Sequence, residues 1–210
     1  MPLAKPVLCT RNLRFSWPGQ PPLWPALNLE LTPGLWAVTG DEGCGKTTLL
    51  RLLAGELSPQ DGDICLNGQP ASPAALAAVA AWTDPRTDAF DTVVLERYLD
   101  DLPRHFPRAD RTQLQALVKA LSLDEHLPKA FHMLSTGSRR KAWIAAAVAS
   151  MAPVVLIDQP FAALDGPSIR CVTELLEDAA DCASRIFIVA DFELPGMVRP
   201  GNTIALDAGS

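Results

Sequence analysis

The residues with the clearest chemistry run Gly40-Asp41-Glu42-Gly43-Cys44-Gly45-Lys46-Thr47, followed by Thr48. They satisfy G-x-x-x-x-G-K-[ST], the pattern of a loop that wraps polyphosphate. Gly43 and Gly45 permit backbone angles that side chains resist, so successive N–H groups can converge on an anion. A helix opening at Lys46 adds unpaired donors and the positive end of its dipole. Lys46 is placed to reach the β- and γ-phosphates of a purine nucleoside triphosphate, and Thr47 to offer its hydroxyl to Mg²⁺. The expected ligand is Mg-ATP, bound by Gly40, Gly43, Cys44, Gly45, Lys46, Thr47 and Thr48. Asp41 and Glu42 suit such a site only if their carboxylates face solvent. Cys44 is either filler between two glycines or, in the empty site, a thiol activated by the lysine and the helix N-terminus.

A second candidate is Asp158, which ends the apolar run Val154-Val155-Leu156-Ile157 and precedes Gln159-Pro160. Ligand sites in parallel sheets lie off the carboxyl ends of strands. Gly40 and Asp158 both follow such strands, so Asp158 is expected to hold Mg²⁺ directly or through water. Taken alone, an acidic strand end also reads as the start of a turn.

The elements that must position these groups follow from periodicity and punctuation. Strands are expected at Val7–Ser16, Ala26–Leu31 (edge-type), Leu35–Thr39, Ile64–Leu66, Val154–Ile157 and Ile186–Val189, with another edge at Thr203–Leu206. Turns are expected at 17–22, at Thr32-Pro33-Gly34, at Asp61-Gly62-Asp63 and at Asn67-Gly68. Helices are expected at Lys46–Leu53, Ser138–Ser150 and Ile169–Ala180. Ala74–Ala81 is ambiguous between helix and strand. Residues 91–133 read as a helical lobe, with helical spacing at Val93, Val94, Arg97 and Tyr98 and at Leu114, Leu117, Val118 and Leu121. Pro103, Pro107 and Pro128 punctuate it. The alternation describes an α/β sheet with helices on its faces, interrupted by that lobe.

The 210 residues fit one α/β domain with a small insertion. With 48% apolar and 20% charged residues the composition is globular. A formal charge of -6 gives nucleic acid no global attraction. The start, MPLAKPVLCT, lacks the apolar core of a secretory signal. The longest apolar stretch, Ala142–Met151, is about half of the roughly 20 residues a membrane span needs. Cys9, Cys44, Cys65, Cys171 and Cys182 have neither zinc-site nor redox-pair spacing, and free thiols point to the cytosol. His105, His126 and His132 fall in or near the lobe and read as structural or solvent-exposed.

The phosphate loop, the acidic strand end and the segment Leu134-Ser135-Thr136-Gly137-Ser138-Arg139-Arg140 resemble the ATP-binding cassette (ABC) ATPase family over nearly the whole chain. The last segment is similar to the family signature motif. The resemblance implies a P-loop NTPase fold: an ABC-type core sheet with an inserted helical subdomain near 91–133, in one domain over 1–210. It also implies head-to-tail pairing, each nucleotide lying between one phosphate loop and the other subunit's signature. Ser135 and Gly137 would then contact the γ-phosphate bound to the opposite subunit. Read from the residues themselves, they cap and start a helix, which is also an anion-binding end. Trp17 stands where the family stacks an aromatic ring on adenine, and reads equally as a turn aromatic covering the first strand. Ala163-Leu164-Asp165 resembles the family's interface loop, and Asp165 is equally a helix cap before Pro167. Arg139 and Arg140 read as a charged helix face.

Three departures from the family share a direction. Gln159 stands where a glutamate usually follows the Mg²⁺ aspartate, Ala190 where a histidine usually ends the strand from Ile186, and Thr83 where a glutamine usually senses metal and partner. Gln159 can orient water but accepts no proton. Ala190 donates nothing to the γ-phosphate. Thr83 reaches metal only through water, with Asp84 as a substitute ligand. The binding parts are kept and the parts acting on the γ-phosphate are weakened, which predicts slow ATP hydrolysis with Lys46, Asp158 and Gln159 as catalytic positions. The implied partners are a second ABC ATPase subunit, identical or different, and a separate transmembrane permease. The permease would dock near Thr83 and the lobe, with Phe90, Tyr98 and Phe106 as surface or core candidates. No direct nucleic-acid partner is expected. The implied location is the cytoplasmic face of the cell membrane, held there through the permease. The compact length resembles small exporter-type subunits, including haem-exporter ATPases. Alternatives are a hydrolysis-deficient regulatory or structural subunit, a non-transport ABC protein, and a P-loop kinase, which leaves Leu134–Ser138 unexplained.

Overall fold

A computed structural model describes residues 6–206 apart from 193, 195 and 197. The first five residues of the N-terminal stretch read above for a leader lie outside the described residues. The strands are β1 (Leu8–Arg14), β2 (Leu27–Leu31), β3 (Gly34–Thr39), β4 (Asp61–Leu66), β5 (Gln69–Pro70), β6 (Ala80–Ala81), β7 (Val154–Asp158), β8 (Ile186–Ala190) and β9 (Asn202–Ala205). The helices are α1 (Lys46–Leu53), α2 (Pro73–Ala77), α3 (Leu95–Asp100), α4 (Leu102–His105), α5 (Arg111–Ala120), α6 (Thr136–Ala149) and α7 (Gly166–Ala180).

Two sheets form. The first is antiparallel, in the order β2-β1-β4-β5, and the second is parallel, in the order β6-β7-β8-β3-β9. β7, β8 and β3 are near-continuous apolar runs because helices or strands cover both faces. Side chains alternate between those faces. Leu35, Val155, Ile157, Phe187 and Val189 join a core with α3, α5, α6 and α7. Val38, Val154, Leu156, Ile186 and Ile188 join a second core with α1 and the antiparallel sheet. The carboxyl ends of β3, β8 and β7 therefore emerge side by side, with Ala190 in register with both Val38 and Asp158.

The structure changes several expected boundaries. Asp61-Gly62-Asp63 is part of β4: the ladder shifts register between Arg11 and Arg14, and Gly62 takes φ 77 at that irregularity. The glycine marks a bulge, which local sequence cannot separate from a turn. Ala74–Ala81 divides into α2 and the short β6, with Ser72 capping the helix. Val93 and Val94 precede α3. Leu95 and Phe131 N–H donate to Lys129 and Val93 carbonyls, so this stretch is fastened to the lobe's far end before the helix begins. α6 starts two residues earlier than expected, because Ser135 is its cap. Asn67 and Gly68 form the expected tight hairpin turn with φ 51 and 82. Among the described residues, no helix is long and apolar enough to cross a membrane.

Candidate nucleotide-binding site

The phosphate loop joins β3 to α1. Gly40, Gly43 and Gly45 take φ 142, 79 and 98. A Cβ on Gly45 would fall inside the Trp24 ring, and one on Gly40 would meet the Leu206 carbonyl and Cys44 Sγ. Close approach, as well as dihedral freedom, thus requires glycine at both positions. Lys46 Nζ donates to the Gly40 carbonyl and to the Asp41 carbonyl at 2.8 Å, which folds the ammonium over the hollow of the loop. Asp41 and Glu42 are exposed. Cys44 is 3% exposed and packs into the core beneath the loop. Of the two readings of Cys44, its burial agrees with the filler role, while its sulfur lies 3.8 Å from Lys46 Nζ.

Thr47 Oγ1 donates to Asp158 Oδ2 at 2.6 Å. The two residues are 111 positions apart in the chain. Asp158 is buried, and that burial pushes its carboxyl above the usual range. The Thr47 hydroxyl and the Arg86 charge oppose the shift, while Asp84 and Asp191 reinforce it. A hydroxyl and a carboxylate side by side at the mouth of a phosphate loop are hard oxygen donors of the kind Mg²⁺ takes. Among the described residues, no group of three or more His, Cys, Asp or Glu forms a metal cluster.

Gln159 follows in the left-handed region at φ 49, its N–H donating to the Ala190 carbonyl at 2.7 Å. Ala190 is completely buried and presents no donor. Asp191 lies just beyond. Burial raises its carboxyl, while the Phe192 N–H and the charges of Lys46 and Arg140 pull it down. The cleft around these groups, about 760 Å³, is lined by Trp17, Gln20, Leu23, Glu42, Gly43, Gly45, Lys46, Thr47, Thr48, Arg51, Arg86, Asp158 and Gln159. Trp17 also meets Phe15, the residue after β1, edge-on at 5.1 Å between ring centres, and it lines the cleft.

The remaining expected residues lie outside the lining of this cleft. Thr83 does not line this cleft, but it shares a small adjoining cavity with Asp158, and its hydroxyl lies 3.5 Å from the Tyr98 phenol. Asp84 accepts from the N–H and the guanidinium of Arg86. Ser135 and Gly137, expected at the nucleotide of a facing subunit, do not line this chain's own cleft. Ser135 Oγ caps α6 by accepting from the Ser138 N–H at 3.1 Å. Asp165 caps α7 and pairs with Lys141 at 2.7 Å, a contact that holds its carboxyl well below the usual range. The charged-face reading of Arg139 and Arg140 is also corrected. Arg139 pairs with Asp91 at 2.8 Å. Arg140 is buried and donates to the Ala162 carbonyl in the turn after Gln159. Gln20, Leu23, Arg51 and Arg86 line the cleft and were missed by sequence reasoning, and Arg86 is the one from farthest along the chain. It belongs to no motif and enters only because the turn after β6 passes the mouth of the phosphate loop.

The parallel sheet, the loop between strand and helix, and the facing acidic strand end define a P-loop ATPase. A family model described as ABC transporter matches residues 26–162, and the chain belongs to that family. The taurine import ATP-binding protein TauB of Chromobacterium violaceum is 36% identical over 190 residues, covering 87% of this chain and 71% of that protein. The cytochrome c biogenesis ATP-binding export protein CcmA of Pseudomonas fluorescens is 29% identical over 205 residues, covering 96% and 93%. The solved structure of a bacterial Atm1-family ABC exporter with ATP bound superposes with a TM-score of 0.79 at 19% identity, covering 100% of this chain and 38% of that one. An ATP-binding subunit of an ABC transporter superposes with a TM-score of 0.76 at 21% identity, covering 88% and 78%. These structural likenesses establish the fold.

Proposed function

We propose that this chain binds Mg-ATP, hydrolyses it slowly at its own site, and drives closing and opening of paired ATPase domains coupled to a separate membrane permease. The observation that carries the reading is the Thr47–Asp158 contact of 2.6 Å at the mouth of the glycine loop. Loop N–H groups and Lys46 bind the β- and γ-phosphates, and Trp17 offers a flat face to adenine. Thr47 and Asp158 would hold Mg²⁺, which when bound neutralises charge on the phosphates. Gln159 orients the attacking water by hydrogen bonds and takes no proton from it. Ser135 and Gly137 complete the site of a facing subunit, identical or different.

The permease would seat in the groove of about 650 Å³ between the Trp82–Thr83 turn and the helical lobe, lined in part by Phe90, Tyr98 and Phe106. All three rings are partly buried against the core, so they form the groove's apolar wall. Docked in this way, the chain would sit on the cytoplasmic face of the membrane through its partner. One relative named above serves import and the other export, so the shared ATPase is compatible with either direction.

The test compares Mg-ATP turnover of the purified chain with that of Gln159→Glu and of Gln159→Glu combined with Ala190→His. Because Ala190 is completely buried, the single variant is the readout if the histidine is not accommodated. Restoring the acid–base position is expected to raise turnover by roughly 10²-fold or more. A wild-type chain already as fast as the variants overturns the slow-site reading.

A further inference from the structure

Three cationic side chains line the cleft, and two are already engaged. Lys46 is folded onto its own loop, and Arg51 pairs with Glu56 at 3.1 Å. The third, Arg86, has no part in the function above. Its side chain is 70% exposed and meets only the Asp84 carboxylate, at 3.3 Å from Nε and 3.5 Å from Nη2. Exposed contacts of that length hold a guanidinium weakly. The backbone beneath it is better fixed. The Arg86 N–H donates to Asp84 Oδ1 at 2.9 Å, the Thr87 N–H donates to the Asp84 carbonyl at 3.0 Å, and Pro85 limits the turn. The turn therefore presents a loosely held guanidinium on a firm base, beside Thr47, Asp158 and Gln159.

Ala190, in register with Asp158 at the end of β8, brings no side-chain donor to this end of the sheet. We propose that Arg86 contacts the terminal phosphate of ATP bound in its own chain and supplies the positive donor that Ala190 lacks. The proposal rests on the reading of the cleft as a Mg-ATP site. A guanidinium presents paired N–H groups that match two phosphate oxygens, so it binds phosphate in a fork where lysine acts as a point charge. A triphosphate carries more charge than the single carboxylate of Asp84, and the guanidinium transfers from one to the other. The transfer also frees Asp84 in the turn where the family's metal-sensing residue usually stands. Because a diphosphate lacks the contacted group, Arg86 sets the preference for ATP over ADP.

The experiment is calorimetric binding of Mg-ATP and Mg-ADP to the full chain as wild type, Arg86→Ala and Arg86→Lys. Arg86→Ala is expected to weaken ATP roughly 10-fold or more, as loss of a charge-assisted contact implies, and to change ADP less than about threefold. Arg86→Lys is expected to fall between wild type and Arg86→Ala for ATP. Because the side chain is exposed, both variants are expected to keep the wild-type melting temperature, measured to confirm that they are folded. Parallel losses for both nucleotides, or no loss for ATP, overturn the proposal. If the wild type itself shows no saturable Mg-ATP binding, the Mg-ATP reading fails first. Normal wild-type binding with an indifferent Arg86→Ala sinks only the role of Arg86.

Discussion

Burial and metal chemistry pull Asp158 in opposite directions. Its carboxyl is pushed above the usual range chiefly by desolvation, yet it must be ionised to hold a cation. A carboxylate whose folded pKa exceeds its unfolded value destabilises the fold when ionised. That cost is present at neutral pH and is relieved as pH falls through the raised pKa. Asp158→Asn keeps an oxygen to accept from Thr47 and removes the charge. The variant is expected to melt at a higher temperature than wild type near pH 7, with the gap narrowing toward about pH 4, near the ordinary carboxylate value. Mg²⁺ should no longer strengthen its ATP binding. Thermal unfolding at the two pH values checks the first effect, and titrations with and without Mg²⁺ check the second; a lower melting temperature at neutral pH contradicts the account. At this scale much was legible. Lys46 and Thr47 belong to a motif with a mechanism, and Asp158 follows from strand-end chemistry. Arg86 was not legible, because its place depends on how a turn from an unrelated part of the chain passes the loop. The orientation of Thr83 toward Tyr98 depends on lobe packing in the same way.

Helix starts show what local pattern can and cannot specify. α1 was readable to the residue because glycine, lysine and threonine announce it. Ser135 and Asp165 are side-chain caps with sequence signatures. The bulge at Gly62 was not readable, since only the register of β1 against β4 distinguishes it from a turn. Gly137 and Gly166 look alike in sequence, each in the first turn of its helix. A Cβ on Gly137 would collide with the Ala163 carbonyl oxygen, in the segment that Arg140 also grips. A Cβ on Gly166 would meet only Arg170 Nη1, at an ordinary 3.7 Å. Gly166→Ala is therefore expected to stabilise by about 0.4–1 kcal/mol through the unfolded chain. Gly137→Ala is expected to destabilise by about 1–3 kcal/mol through overpacking. Denaturant unfolding of both variants gives the comparison, and equal signs would show that the contact between α6 and the 159–165 turn is slack.

At the scale of the molecule, two cores on opposite faces of one parallel sheet keep the ends of β3, β8 and β7 in register. The alternation of elements made that layering legible, whereas the antiparallel sheet's packing over α1 required the fold. The charge of the chain then bears on what it pairs with. Each copy carries a formal -6, so two identical copies closing over nucleotide repel one another. Salt screens that repulsion, because the Debye length shrinks from about 10 Å at 0.1 M to shorter distances above it. A homodimer formed with Mg-ATP should therefore associate more tightly at roughly 0.3 M salt than at roughly 0.05 M. A mixed dimer with a basic partner subunit should show the reverse, since screening then removes an attraction. Sedimentation of the chain with Mg-ATP across that range reads the sign directly. Tighter association in high salt identifies self-pairing as electrostatically opposed. Absence of self-association at every salt concentration points to a second, different ATPase subunit, whose phosphate loop would face Ser135 and Gly137.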